Sequence, residues 1–137
     1  MPLFDRARRL GSPEAALNAG LVYYQEGRLD AAERVWREAR ELAPWRPEPW
    51  ANLALLAVQG TPPRPEDAIR LCEIALAKDP KFAKAHEVMA NAWYMKGALP
   101  QALLHLREAQ TLDPGNPLYR NMLAVMLQGA KKQPTRQ

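Results

Sequence analysis

Three hexapeptides decide the fold: ARELAP at 39–44, ALAKDP at 75–80 and AQTLDP at 109–114. Each ends a helix-like stretch on a proline, and Pro44, Pro80 and Pro114 stand 36 and then 34 residues apart. Two alanine columns keep that spacing: Ala39, Ala75 and Ala109 lie five places before the prolines, and Ala32, Ala68 and Ala102 twelve places before. A fixed period of this size marks a repeat architecture, in which each unit is one supersecondary element.

Carried outward, the register gives repeats 13–46, 47–82 and 83–116. Small residues Gly20, Ala54 and Ala90 form a further column, and Tyr23, Ala57 and Trp93 form one three places on. Within each repeat two apolar stripes recur at three- and four-residue steps, the spacing of one face of a helix. In the first repeat they are Ala16, Ala19, Gly20 and Tyr23, then Leu29, Ala32, Val35, Trp36 and Ala39. Gly27, Gly60 and Gly97 punctuate the midpoints, and proline after the second stripe cannot continue a helix. Pro13, Pro47 and Pro117 fall where helix starts favour proline. The pattern predicts an all-α protein of seven main helices, at 13–26, 29–42, 47–59, 65–77, 83–96, 99–112 and 117–129. The two extra residues of the middle repeat fall in Gly60-Thr-Pro-Pro-Arg-Pro65, a lengthened turn. Glycine or alanine where antiparallel helices cross lets their backbones approach, while Trp36, Trp50 and Trp93 fill the space alongside. A single pair cannot bury its apolar face alone, so the pairs stack, and Leu123 and Leu127 of the last helix pack back onto the third pair.

These residues resemble the tetratricopeptide repeats, over 13–116 as three full repeats with a capping helix at 117–129. Gly20, Tyr23, Gly27, Ala32, Trp36, Ala39 and Pro44 occupy the family's signature places. The second repeat departs most, with Ala57 for the usual aromatic, Cys72 at a large-residue place, and the proline-rich turn. The resemblance implies a right-handed superhelix of antiparallel helix pairs and an interaction scaffold rather than one particular process. It also implies that the first helix of each pair lines a concave groove. The groove positions are Leu17, Asn18, Leu21, Tyr24 and Gln25, then Ala51, Asn52, Leu55, Val58 and Gln59, then Lys84, Val88, Asn91, Tyr94 and Met95. Glu87 and, on the last helix, Leu118, Asn121, Met122 and Val125 join them. Leu21, Leu55, Val58, Val88 and Met95 are apolar there, and exposed apolar residues mark contact surfaces. The competing reading packs some of them, Leu55 especially, against the next helix pair. In this family an asparagine at the place of Asn18 and Asn52 often holds a ligand backbone, since an amide donates and accepts. The family's carboxylate clamp is matched by Asn52 and Lys84, but Leu17, Leu21 and Val88 stand at its other three places, which leaves a terminal carboxylate poorly paired.

The expected function is therefore a non-catalytic scaffold, adaptor or assembly-factor subunit whose groove takes an apolar or amphipathic segment of another protein. The alternative is an RNA- or anionic-membrane-associated protein using its basic ends. The net charge of +4 divides unevenly: residues 1–12 hold three arginines against one aspartate, and 131–137 hold two lysines and an arginine. The stretch 13–130 between them, the repeat domain, holds 13 basic and 14 acidic residues, so the basic character belongs to the N-terminal arm and the C-terminal tail. Leu3 and Phe4 of the arm are candidates to dock in the protein's own groove or a neighbour's, which would autoinhibit it or build a homo-oligomer. The opening MPLFDRARRL lacks the apolar stretch of a secretory signal, and the longest mid-chain apolar run, Leu53 to Val58, is six residues; a cytoplasmic location is the expectation.

No catalytic constellation assembles. Ser12 is the only serine, Cys72 the only cysteine, and the two histidines, His86 and His105, form no metal-binding motif. They read as structural or surface residues, and no cofactor or metal is expected.

Overall fold

The computed structural model describes residues 11–132, the side chains of the last two excepted. Seven helices run along it: α1 (Pro13–Gln25), α2 (Leu29–Leu42), α3 (Pro47–Gln59), α4 (Pro65–Lys78), α5 (Ala83–Met95), α6 (Leu99–Leu112) and α7 (Pro117–Lys132). No strand occurs among the described residues. The expected bounds hold to a residue or so, except that α7 runs on to Lys132.

Local chemistry sets these limits. The Ser12 hydroxyl caps α1 by accepting the Ala15 N–H at 3.1 Å, and proline occupies the first turn of α1, α3, α4 and α6. Glu14, Glu48, Glu66 and Asp67 lie in first turns, where the helix dipole favours negative charge. At the end of α1, Gly27 adopts φ +77°, and the N–H groups of Arg28 and Gly27 donate to the carbonyls of Tyr23 and Tyr24 at 2.8 and 3.0 Å. The end of α5 repeats this paired pattern around Gly97 at φ +78°, with Ala98 and Gly97 donating to Trp93 and Tyr94. These are Schellman closures, which need a residue tolerant of positive φ. Gly60 departs from them at φ −69°. The longer turn reverses the chain without a left-handed residue and closes with the Arg64 N–H on the Ala57 carbonyl at 2.8 Å.

Helices α1/α2, α3/α4 and α5/α6 pack as pairs, and α2 on α3, α4 on α5 and α6 on α7 join them into a stack. The buried alanines are those of the repeat columns: Ala32, Ala39, Ala54, Ala68, Ala75, Ala90, Ala102 and Ala109 are all sealed from solvent. One apolar cluster fills the first pair and reaches Leu53 and Leu56 of α3; a second joins α3, α4 and α5; a third joins α5, α6 and α7. Tyr24 and Leu71 bridge the first two clusters, and Trp93 bridges the last two. Tyr119 and Met126 of α7 are buried in the third, where Leu123 packs against them. Leu127 is exposed, which corrects the expectation that it packs back. It occupies the column of Tyr23 and Trp93, a place that faces a pair's second helix, and no helix follows α7 among the described residues.

Candidate functional site

The candidate surface is the face built by the first helices, α1, α3, α5 and α7. Their register brings Leu17, Asn18, Leu21 and Tyr24 into line with Asn52 on α3 and with Lys84, Glu87, Asn91, Tyr94 and Met95 on α5. Six apolar side chains stand open on these helices, and four of them fall at groove positions of the register: Leu21 and Met95 are each 49% exposed, Leu118 is 44% and Val125 is 63%, with Val22 and Leu127 the other two. Asn18 is exposed, while Asn52, Lys84 and Asn91 are half-buried, with part of each side chain available. Leu17 and Tyr24 are half-buried in the first cluster; the Leu17 carbonyl accepts the Trp36 indole N–H at 3.2 Å, and the Tyr24 ring lies 6.0 Å from the Trp36 ring.

Four expected groove residues are not on the surface. Ala51, Leu55, Val58 and Val88 are buried in the cluster shared by α3, α4 and α5. A register drawn within one pair treats them as free, but α5 packs against α3 as well as α4 and covers them. They hold the repeats together. Leu3 and Phe4 lie outside the described residues.

Two features emerge only in three dimensions. Glu87, half-buried on α5, lies beside the hydroxyl of the buried Tyr119 of α7. Burial pushes its carboxyl above the ordinary 4.5, with the Lys84 charge opposing the shift. The same carboxylate and burial push the Tyr119 hydroxyl up to about 12. The second feature is a histidine pair on the flank of α5 and α6. The Nδ1 atoms of His86 and His105 lie 3.1 Å apart, with ring centroids 5.4 Å apart and planes inclined by 28°. Burial lowers both imidazoles below the ordinary 6.5, and the His86 charge lowers His105 further. The signal was present in the spacing: Leu17 and Trp36, which bond across the first pair, are also 19 residues apart.

At the edge of the face Arg46 gathers two carboxylates. Its guanidinium forks onto Glu48 at 3.2 and 3.1 Å and pairs with Glu14 of the preceding repeat. The Glu48 carboxyl is held below its ordinary value first by that hydrogen bond, and the Glu14 carboxyl first by a backbone hydrogen bond and then by Arg46. A shallow depression lined by Tyr94, Ala124, Val125, Gln128 and Gly129 continues the apolar surface onto α7. The Tyr94 hydroxyl lies where a Cβ on Gly129 would come within 2.0 Å of it, so α7 seats there only through glycine. Elsewhere Cys72 is buried, and burial pushes its thiol up to about 12, which makes it an inert core residue. No group of three or more histidine, cysteine, aspartate or glutamate residues arranged to hold a metal exists among the described residues. No described helix is long and apolar enough to cross a membrane.

Comparison with known proteins gives this arrangement its relatives. Two tetratricopeptide repeat matches cover residues 13–56 and 64–117. The TPR repeat-containing thioredoxin TTL4 of Arabidopsis thaliana is 32% identical over 101 residues, 73% of this chain and 14% of that protein. The chain thus spans about a seventh of this relative. Among solved structures, the first TPR domain of Spaghetti (RPAP3), bound to the HSP90 peptide SRMEEVD, superimposes with a TM-score of 0.78 at 20% identity, covering 88% of this chain and 96% of that one. An O-GlcNAc transferase of Thermobaculum terrenum gives 0.79 at 26% identity, over 88% of this chain and 23% of that one. Two family matches on the repeat columns, and a stack of helix pairs that superimposes on solved TPR domains, lead to one conclusion: the chain belongs to the tetratricopeptide repeat family.

Proposed function

We propose that this chain is a non-catalytic adaptor or assembly-factor subunit that binds an apolar or amphipathic segment of a partner protein along the first-helix face. The observation that carries this reading is the set of four open apolar side chains there, Leu21, Met95, Leu118 and Val125, interleaved with the amides of Asn18, Asn52 and Asn91. Water is released when such side chains are covered, and the amides pair with a ligand backbone. The RPAP3 domain that superimposes on this chain holds a peptide, which supports a protein ligand for the fold. That peptide is acidic, and this chain has leucine and valine at three of the clamp places that would pair with its terminus, so a different sequence is proposed here. A cytoplasmic setting fits a single buried free cysteine.

The test is affinity capture with the full-length protein and with Leu21→Asp and Met95→Asp at low and high salt. The groove reading expects the same partners at both salts and their loss in the two variants. Retention of every partner by both variants overturns it. Partners lost at high salt from the unaltered protein support the basic termini instead.

A further inference from the structure

Glu87 is an awkward residue for an apolar groove. It lies one turn from Lys84 and one from Asn91, on the same stripe of α5, and the neighbouring Tyr119 hydroxyl has a single hydrogen to offer it. A carboxylate offers about four acceptor sites, so one hydroxyl leaves most of them unused. Burial already penalises its charge, and the described residues give it no ion pair. A half-buried carboxylate with spare acceptors on a candidate binding face is poised for a donor arriving from outside.

The surroundings agree. Glu14 and Glu48 share the one guanidinium of Arg46, and Lys84 stands at the equivalent place of the third repeat. With Glu87 the face carries three carboxylates against two cations. Two turns on from Glu87 along α5 is the exposed Met95, and next to Tyr119 at the start of α7 is the exposed Leu118, which offer apolar surface along the same face.

We infer that the segment bound on this face carries a lysine or arginine between apolar residues, its cation pairing with Glu87 and its apolar neighbours covering Met95 and Leu118. The inference rests on the groove reading and deepens it by naming the ligand's charge. A cation delivered to Glu87 turns a desolvated, under-bonded carboxylate into a charge-assisted pair, and arginine satisfies both oxygens at once. The acidic peptide on the RPAP3 domain would meet repulsion at this point.

The experiment is selection of a displayed random nonapeptide library on the immobilised full-length protein. The unaltered protein should enrich lysine or arginine flanked by apolar residues. Glu87→Gln is nearly isosteric and can still accept the Tyr119 hydroxyl, so its fold, checked by circular dichroism, is retained. It should keep the apolar preference and lose the cation, and Glu87→Lys should enrich aspartate or glutamate there. A synthetic peptide from the first selection should bind Glu87→Gln at least about tenfold more weakly. Its affinity for the unaltered protein should fall as acid protonates Glu87. An apolar consensus without a cation, or cation enrichment that survives Glu87→Gln, overturns the inference and leaves the groove standing. No consensus of any kind overturns both.

Discussion

The first and second repeats fill one helix crossing with unequal volumes. In α1/α2 the first helix gives up every side-chain atom at Gly20 and the second supplies the largest side chain, Trp36, which is fully buried. In α3/α4 the same two places hold Ala54 and Cys72, both completely buried. The third pair uses Ala90 and Leu106. A close-packed interior must still be filled, so the volume that Ala54 and Cys72 do not supply comes from other residues of the cluster of α3, α4 and α5, among them Leu55, Ile69 and Met89. Signature residues can therefore drift while the helices keep their approach.

The largest effect that tests this comparison is truncation. Trp36→Ala should cost about 3–5 kcal/mol in urea unfolding, and Cys72→Ala much less, because there is little volume to lose. Equal costs would show that the crossings do not share volume in this way. Next is overpacking: a Cβ on Gly20 would lie 2.0 Å from the Trp36 Nε1, so Gly20→Ala should cost about 1–3 kcal/mol. In a Trp36→Leu background, which imitates the third repeat, that penalty should largely vanish. A double-mutant cycle with no coupling would break the argument.

A smaller contrast separates the tryptophans. The Trp36 indole N–H donates to Leu17 and that of Trp50 to the Pro44 carbonyl at 3.0 Å, whereas the buried Trp93 N–H has no partner. Trp36→Phe should lose about 1 kcal/mol more than Trp93→Phe, since removing an unpaired buried donor relieves a desolvation cost. Thermal unfolding of the two variants side by side measures the difference.

The smallest effect is one of pH. The first pair holds the buried Ala16 and Val35 at the places where the third holds His86 and His105. Both imidazoles titrate below 6.5 in the folded chain, so the unfolded chain binds protons first as pH falls. The pair's contribution is complete above pH 6.5 and is lost as pH drops below it. Glu73 and Glu108 nearby oppose the shift at His105, and Glu108 opposes it at His86. The urea midpoint should decline between pH 7 and 5, and His86→Ala/His105→Val, copying the first pair, should flatten that slope.

How much of this was legible depended on the range of the interaction. Helix limits follow from neighbours in sequence, such as Ser12, Gly27 and Pro44, and the stack follows from columns whose period survives insertion of the Gly60–Pro65 turn. The buried positions of Leu55, Val58 and Val88 depend on how the next pair settles over them, which no register within one repeat contains. The Glu87–Tyr119 contact joins residues of α5 and α7, and neither residue type announces the other. Leu21, Met95, Leu118, Val125 and the polar places between them were open to a reading of one helix at a time.

The histidine pair carries a consequence of counting. The ring centroids are farther apart than the two Nδ1 atoms by the radii of the two rings, so the nitrogens meet head to head. Such a junction holds one hydrogen: one ring bears it on Nδ1, and the other keeps its own on Nε2 and offers a lone pair. A first proton taken from solvent adds to the free Nε2 of the donating ring and leaves the junction intact, but a second would set two N–H bonds nose to nose. The joint between α5 and α6 therefore tolerates single occupancy and rejects double, which makes acid strain it in a step and leaves the alanine-lined crossings of the other pairs indifferent.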